Sequence, residues 1–164
     1  MKTIRAFFIV ICLIVVTGIT TGSAVQEDSI AFVRDVNTIL PEKARAEVYN
    51  EILKWRLDNI IPELLRREGI DMWLIINREY NEDPVYMSLV PEPVMNARRT
   101  SILMFVDHGP EKGVERLSGS YYGMGDWYKT TWKDKKKKQF ESLAEAIRSL
   151  DPEKIGINIS HTYR

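Results

Sequence analysis

Two continuous apolar runs dominate the pattern of the chain, and each predicts a strand with both faces buried. The first run is 72–76 and follows the glycine at position 69, and the second is 102–106 and ends in turn residues at 107–110. Short apolar runs bounded by turn residues are typical of strands in sheets that are covered on both sides. A third strand is predicted over 113–118, and isoleucines that alternate with other residues over 155–159 predict a last one.

The first helix is predicted to begin at Pro41 and Glu42, because proline is tolerated in the first turn and an acid there suits the helix dipole. Its apolar face is broken only by Asn59 and consists, at helical spacing, of Val48, Ile52, Trp55, Ile60, Leu64 and Leu65. We expect Pro62 to kink or split this helix, since its nitrogen has no hydrogen to donate. Gly69 is expected to cap its end.

A second helix is predicted from Phe140 to Leu150. Its apolar face is formed, at spacings of three and four residues, by Phe140, Leu143, Ala144, Ile147 and Leu150. The lysines at 133 and 135–138 oppose a helix dipole, so we expect the helix to begin near Gln139, with the lysines in a solvated entry segment. The order of elements predicts an α/β fold in which a mixed sheet is flanked by helices.

The first 24 residues have the pattern of a signal peptide. Lys2 and Arg5 precede or border an apolar segment at 6–16, and small residues at 22–24 suit a cleavage site. We therefore expect an exported protein, periplasmic or secreted, with a signal peptide over 1–24, an N-terminal arm over 25–40 and one domain over 41–164. The alternative is that the segment stays uncleaved and anchors the chain in a membrane, although the apolar run is short for a span.

Composition excludes several kinds of site and partner from the mature chain. The only cysteine, Cys12, lies in the expected signal peptide, so a disulfide, a thiolate metal site and a cysteine nucleophile are excluded. The remaining 21 basic and 23 acidic residues give no reason to expect nucleic acid as a partner. The two histidines, His108 and His161, have no neighbours at ligand spacing, so no metal site is expected in this segment.

The segment after the first strand holds the residues that best fit a recognition site. Polar and aromatic residues at 77–86 and 96–101 lie between two buried strands, where α/β proteins often place recognition. The candidates are Asp83, Tyr86, Arg98 and Arg99, because guanidinium groups suit carboxylates and an acid here could bind an amine. The alternative is a structural loop whose acids and arginines pair with each other.

A second aromatic segment lies at 121–128, where four aromatic residues surround two glycines. It lacks the glycine-rich pattern and the lysine of a phosphate loop. It is either a platform for a ligand or partner, or a loop held to the domain by its rings.

Several segments, in order along the chain, resemble a known family. Residues 69–76 resemble the entry into the first strand of the creatinase/prolidase N-terminal domain. The segments from Asn77 to Tyr86, from Asn96 to Ser101 and from Asp151 to Asn158 are similar to a secreted bacterial branch of Xaa-Pro aminopeptidase-like proteins. The resemblance covers residues 45–160.

This resemblance implies the non-catalytic N-terminal domain, with a creatinase/prolidase-like α/β fold, of a two-domain metallopeptidase. The implied C-terminal pita-bread domain holds two divalent metals (manganese, cobalt or zinc) on Asp, His and Glu side chains, and it removes an N-terminal residue that precedes proline. Metal-bound hydroxide is the nucleophile in such enzymes. These ligands are expected beyond Arg164, so no catalytic residue and no metal ligand is expected here, and this segment alone is expected to be inactive.

The implied work of the domain is assembly and substrate access. Its partners would be its own catalytic domain, further copies of the protein and proline-containing peptides. The loop over 77–89 would approach the active site, where Tyr80 and Tyr86 are the aromatic residues that could line it. The rival interpretation is a free-standing exported module that binds a small ligand or a protein through Asp83, Arg98, Arg99 and the segment 121–128.

Overall fold

The computed structural model describes residues 39–94, 96–160 and 162. The predicted signal peptide and the arm up to residue 38 therefore lie outside the described residues, as does His161. All elements given below belong to the unit that begins at Leu40. Within this described part of the chain, no helix has the length and apolar character that a membrane span needs.

The helices and strands follow the predicted order, with one short helix and one short strand added. The helical segments are α1 (Glu42–Trp55), a π-helical turn (Arg56–Ile60), α2 (Ile61–Glu68), α3 (Pro84–Met87) and α4 (Gln139–Leu150). The strands are β1 (Met72–Arg78), β2 (Thr100–Asp107), β3 (Val114–Ser118), β4 (Lys129–Thr130) and β5 (Ile155–Ile157). The two elements that the sequence did not predict are α3 and β4.

The five strands form one mixed sheet in the order β4-β3-β2-β1-β5. The central strand β2 is antiparallel to both of its neighbours, β1 and β3, whereas β5 runs parallel to β1 and β4 runs parallel to β3. Met72 is paired with Val106 on one side and with Ile155 on the other. The predicted α/β class with a mixed sheet and helices is confirmed.

Alternate residues of the central strands divide between two cores, one on each face of the sheet. Leu103 and Phe105 face the core that α1 and α2 cover, and Ile102 and Met104 face the core that α4 covers. Fully burying a side chain of this size contributes roughly 1.5–3 kcal/mol. The prediction that β2 is buried on both faces is therefore confirmed, and both cores depend on it.

The first helical segment buries a different face from the one predicted. The predicted face is 41–59 % exposed at its four leading residues, Val48, Ile52, Trp55 and Ile60. The face that packs against the sheet consists of residues four apart, Leu53, Leu57, Ile61 and Leu65. The prediction that Val48, Ile52, Trp55 and Ile60 form the core face was wrong, whereas Leu65, the last residue of the predicted face, is buried as expected.

The segment carries two apolar stripes on opposite sides, and spacing alone does not choose between them. At 3.6 residues per turn, positions nine apart such as Val48 and Leu57 point in opposite directions. Residues four apart drift around an α-helix, and the wider π-helical turn offsets that drift, with the Ile61 amide bonded to the Arg56 carbonyl. The turn lies directly before the residues Ile61 and Pro62 that open α2, so the predicted interruption occurs there.

Two other predicted faces are only partly buried. In α4, Leu143 is buried and Ile147 and Leu150 pack against the same core, but Phe140 is 57 % exposed. Strand β5 is an edge strand, and Ile157 is 60 % exposed. The end points were predicted better, since α4 begins at Gln139 and Gly69 caps α2 in the left-handed conformation.

Candidate functional site

Asp83 fixes the candidate loop (77–89) to the ends of the parallel strands β1 and β5. Its carboxylate oxygen Oδ1 accepts the Val85 amide at 2.8 Å, which caps the short helix α3, and Oδ2 accepts the Asn158 side-chain amide at 2.9 Å. The Asp83 amide donates to Oδ1 of Asn77, the buried penultimate residue of β1, at 2.7 Å. Both carboxylate oxygens are used within the fold, so Asp83 positions the loop.

Four consecutive carbonyl groups of the loop, at 87–90, accept hydrogen bonds from side chains distant in sequence. The Tyr49 hydroxyl lies 2.8 and 3.1 Å from the first and the last of them. Arg56 donates to the second, and the Tyr128 hydroxyl donates to the third at 2.6 Å. Burial raises the pKa of both tyrosine hydroxyls, which therefore stay protonated near neutral pH.

Asn50 extends the same attachment by two more hydrogen bonds. Its Nδ2 donates to the Glu92 carbonyl at 3.2 Å, and its Oδ1 accepts the Glu92 amide at 3.0 Å. A side-chain amide that pairs in this two-way manner satisfies a backbone donor and a backbone acceptor at once. Helix α1 and the loop over 84–92 thus form one rigidly connected unit.

The two tyrosines expected to line a site lie in different environments. Tyr86 is fully buried, its hydroxyl lies 3.5 Å from the Asn96 carbonyl, and burial raises its pKa. Tyr80 is 91 % exposed and has a left-handed backbone with a φ of 65°. Tyr80 is therefore the aromatic side chain that this loop presents to solvent.

The two candidate arginines also differ in their surroundings. The Arg99 amide donates to the Glu79 carboxylate at 2.9 Å, and the Arg99 carbonyl accepts the Glu79 amide at 2.8 Å. The Arg98 guanidinium carbon lies 6.0 Å from the ring centre of Tyr122. The structure thus brings Arg98 to the second aromatic segment, and it places the Asp83 carboxylate in a separate network.

The second aromatic segment has an inward and an outward set of residues. Met124 and Tyr128 are buried and hold the segment to the core, as the pinned-loop alternative predicted. Tyr121 and Tyr122 lie on the outside with ring centres 5.1 Å apart, edge to face, and the ring centre of Trp132 lies 6.0 Å from that of Tyr121. The sequence offered two alternatives for this segment, and the structure contains elements of both.

These outer rings and two cations form what we call the aromatic–cation cluster. The Lys135 ammonium lies 4.7 Å from the ring centre of Tyr121, a geometry in which the ring face attracts the cation. The members of the cluster are Arg98, Tyr121, Tyr122, Trp132 and Lys135. No sequence pattern singled out Trp132, and Lys135 was expected in a solvated entry segment.

The exposed apolar residues of α1 form a second candidate surface, which we call the helix stripe. Val48, Ile52 and Trp55 follow one another at spacings of four and three residues and are 42, 48 and 59 % exposed. Charged residues, including Glu51 and Lys54, are exposed beside them. An apolar centre with a charged border resembles the layout of protein interfaces.

A third candidate surface, the isoleucine face, lies at the β5 edge of the sheet. Ile155 and Ile157 stand opposite Met72 and Leu74 in the parallel pair, so they share the sheet face of α4. They are 41 and 60 % exposed, and Ile76 on the same face of β1 is 44 % exposed. On this face of the sheet, β5 and the end of β1 at Ile76 are therefore left partly open to solvent, whereas Met72 and Leu74 are buried.

No group of three or more His, Cys, Asp or Glu side chains in the described residues has the arrangement that a metal ion requires. His108 is exposed and lies 3.1 Å from the Glu115 carboxylate, so it belongs to a surface pair. Comparison of the chain with known protein families, with curated proteins and with solved structures finds no match.

Proposed function

We propose that this chain is the non-catalytic N-terminal domain of an exported Xaa-Pro aminopeptidase-like metallopeptidase, with a creatinase/prolidase-like version of the α/β fold. Its work is assembly: it packs against its own catalytic domain, supports an oligomer and shapes the access of proline-containing peptides. The two divalent metals (manganese, cobalt or zinc) belong to that catalytic domain. The observation that carries the proposal is the helix stripe.

The helix stripe supports assembly because it is apolar, contiguous and remote from the core. Val48, Ile52 and Trp55 lie on the side of α1 that faces away from the buried leucines. Contiguous exposed apolar surface with a polar border is typical of protein interaction sites, and tryptophan is enriched among the residues that dominate binding energy. A partner that covers this stripe removes three large apolar side chains from water.

The rigid attachment of the candidate loop supports a role in substrate access. Side chains of α1 hold the loop carbonyls, so a partner on the helix stripe and a ligand at the loop would contact the same rigid unit. Preorganised loops bind with a smaller loss of conformational freedom. Tyr80 precedes this unit in the loop over 77–89, and it is the exposed aromatic residue there that is available to a neighbouring active site.

The test of assembly uses the full chain in solution with a matched pair of variants. We expect the chain to bind a hydrophobic dye and to self-associate in size-exclusion chromatography with light scattering, and Trp55→Asp to reduce both. Ile159→Asp, at a site even more exposed but outside the stripe, should leave both unchanged. A compact monomer that binds no dye, with Trp55→Asp indistinguishable from the parent, would contradict the assembly role.

The aromatic–cation cluster favours a second candidate, a free-standing exported module that binds a small ligand or a protein. In that interpretation the chain needs no catalytic domain, and its function ends with binding. The mass of the native protein distinguishes the two, because only the first requires a longer polypeptide that contains the metal ligands.

A further inference from the structure

The aromatic–cation cluster combines three adjacent aromatic rings with two positive charges, and we propose that it binds the carboxyl-terminal end of a short, extended, proline-containing peptide. The rings contact the peptide's apolar side chains, Arg98 holds its free carboxylate, and Lys135 adds to the positive charge of the cluster. This inference rests on the proposed role in substrate access, which it makes more specific by naming the end of the peptide that is recognised.

The rings form a continuous outer surface. Tyr122 is 70 % exposed and meets Tyr121 edge to face at 5.1 Å, and Tyr121 meets Trp132 in the same way at 6.0 Å. Grooves lined by tyrosine and tryptophan are the usual surface for extended proline-containing segments, because proline presents a flat apolar ring and no amide hydrogen. Three adjacent rings are enough to contact two or three residues of an extended chain.

The cations stand at two points along this surface and lack carboxylate partners. Across the described residues, neither Arg98 nor Lys135 lies within 4.0 Å of an Asp or Glu carboxylate, although eight other ion pairs are present there. Arg98 lies over Tyr122, and Lys135 lies over Tyr121. An incoming carboxylate would therefore meet two uncompensated cations, and a guanidinium can bind it through two parallel hydrogen bonds.

The fold holds the Trp132 indole and the backbone that carries the other members of the cluster. The Trp132 indole donates to the Asp134 and Lys137 carbonyls at 2.9 and 3.1 Å, and the Arg98 amide donates to the Ser101 hydroxyl at 3.2 Å. Buried Tyr128 anchors the segment that carries the other two rings. A surface fixed in this way loses little conformational freedom when a ligand binds.

The direct test compares one peptide with a free or an amidated carboxyl end, for instance Ala-Pro-Ala-Pro and its amide. Binding to the full chain is measured by NMR titration, with the indole N–H signal of Trp132 identified through Trp132→Phe. We expect the free acid to shift that signal and to bind about tenfold more tightly than the amide, the effect of one charge-assisted hydrogen bond. Equal affinity for acid and amide, or no shift at 10 mM peptide, overturns the proposal.

Variants separate the carboxylate contact from the ring contact. Arg98→Gln should lower affinity for the free acid to that for the amide and leave the amide unchanged, whereas Tyr122→Ala should weaken both. Phe140→Ala is the matched control, an exposed aromatic residue outside both the cluster and the candidate loop, and should change neither. An Arg98→Gln variant that loses acid and amide equally contradicts a carboxylate contact, as does a cluster that binds oligosaccharides of uronic acids and no peptide.

The outcome is independent of the test of assembly. The peptide titration tests binding at the aromatic–cation cluster, and the dye and light-scattering experiment tests the helix stripe. Failure of the titration with a normal response of the stripe rejects this inference alone. Failure of the stripe experiment with acid-specific peptide binding rejects the assembly role and leaves a peptide-binding module.

Discussion

The indole N–H of Trp73 donates a 2.8 Å hydrogen bond to Oδ1 of Asn158, and this bond joins the start of β1 to the residue that follows β5. The Asn158 amide nitrogen donates in turn to Asp83, which begins α3. One asparagine therefore links the central strand, the edge strand and the candidate loop.

Asn158→Ala should destabilise the fold through the loss of both bonds. It leaves the Trp73 indole and one Asp83 oxygen without their partner in a half-buried place, and we expect the free energy of unfolding to fall by about 1–3 kcal/mol. Urea denaturation followed by circular dichroism measures this. Ile159→Ala is the control, because that side chain is 85 % exposed, and an equal loss in both variants would show that the bonds contribute nothing.

Tyr128→Phe should destabilise the loop attachment and the fold with it. The variant removes the hydroxyl that donates to the Leu89 carbonyl at 2.6 Å and leaves a buried acceptor unpaired, which costs about 1–3 kcal/mol. Tyr122→Phe removes the same atom from a ring that is 70 % exposed and should change stability by less than about 0.5 kcal/mol. Denaturant midpoints that shift by the same amount would contradict this assignment.

Asp107 should make stability depend on pH. Two hydrogen bonds from the Arg66 guanidinium, at 2.9 and 3.0 Å, hold the pKa of the Asp107 carboxyl below its usual value of 3.8. Since the folded pKa is the lower one, the pair stabilises fully above the unfolded pKa, and the contribution is lost as the pH falls through the folded pKa.

Asp107→Asn should therefore be less stable than the parent at pH 7. The difference in free energy of unfolding between the two should become smaller as the pH falls below about 4. Denaturation curves between pH 7 and pH 3 measure it. Arg67→Gln is the control, because Arg67 pairs with the adjacent Glu68. The difference in free energy of unfolding between this variant and the parent should not follow the Asp107 titration. A gap for Asp107→Asn that is constant over this range would contradict the linkage.

Trp55→Asp and Leu57→Asp should differ sharply although they are two residues apart. Trp55 is 59 % exposed on the helix stripe, so a charge there should change the free energy of unfolding by less than about 1 kcal/mol. Leu57 is 2 % exposed, and an unpaired charge in the core should cost more than about 4 kcal/mol and unfold the chain. Circular dichroism distinguishes these results. If Trp55→Asp unfolded the chain and Leu57→Asp did not, the buried face would be the one predicted from the sequence.

The central strands and the second helix could be predicted because their signals are local. Continuous apolar runs marked β1 and β2, and the lysines before Gln139 marked the start of α4. The buried face of α1 could not be predicted, because the helix has two apolar stripes and which of them packs depends on its contact with the sheet. Strand β4 has two residues and forms only because it pairs with β3, and no local sequence pattern predicts that contact.

The candidate loop shows the same division between local and distant causes. A local signal for α3 was present, because Asp83 followed by Pro84 is the usual start of a helix. The bonds from Tyr49, Arg56 and Tyr128 to the loop carbonyls join residues more than 30 positions apart. Their geometry arises only when the helix and the aromatic segment pack on the same face, so sequence patterns could not reveal it.

The most direct test of the proposed function is the intact mass of the native protein, captured from the producing cells with an antibody to this domain and measured by mass spectrometry. We predict a mass more than twice the 19.0 kDa of this chain. The additional peptides should contain the Asp, His and Glu ligands of a two-metal site and support manganese-dependent Xaa-Pro cleavage. A native mass near that of the mature 140 residues would contradict the proposal and leave a free-standing binding module.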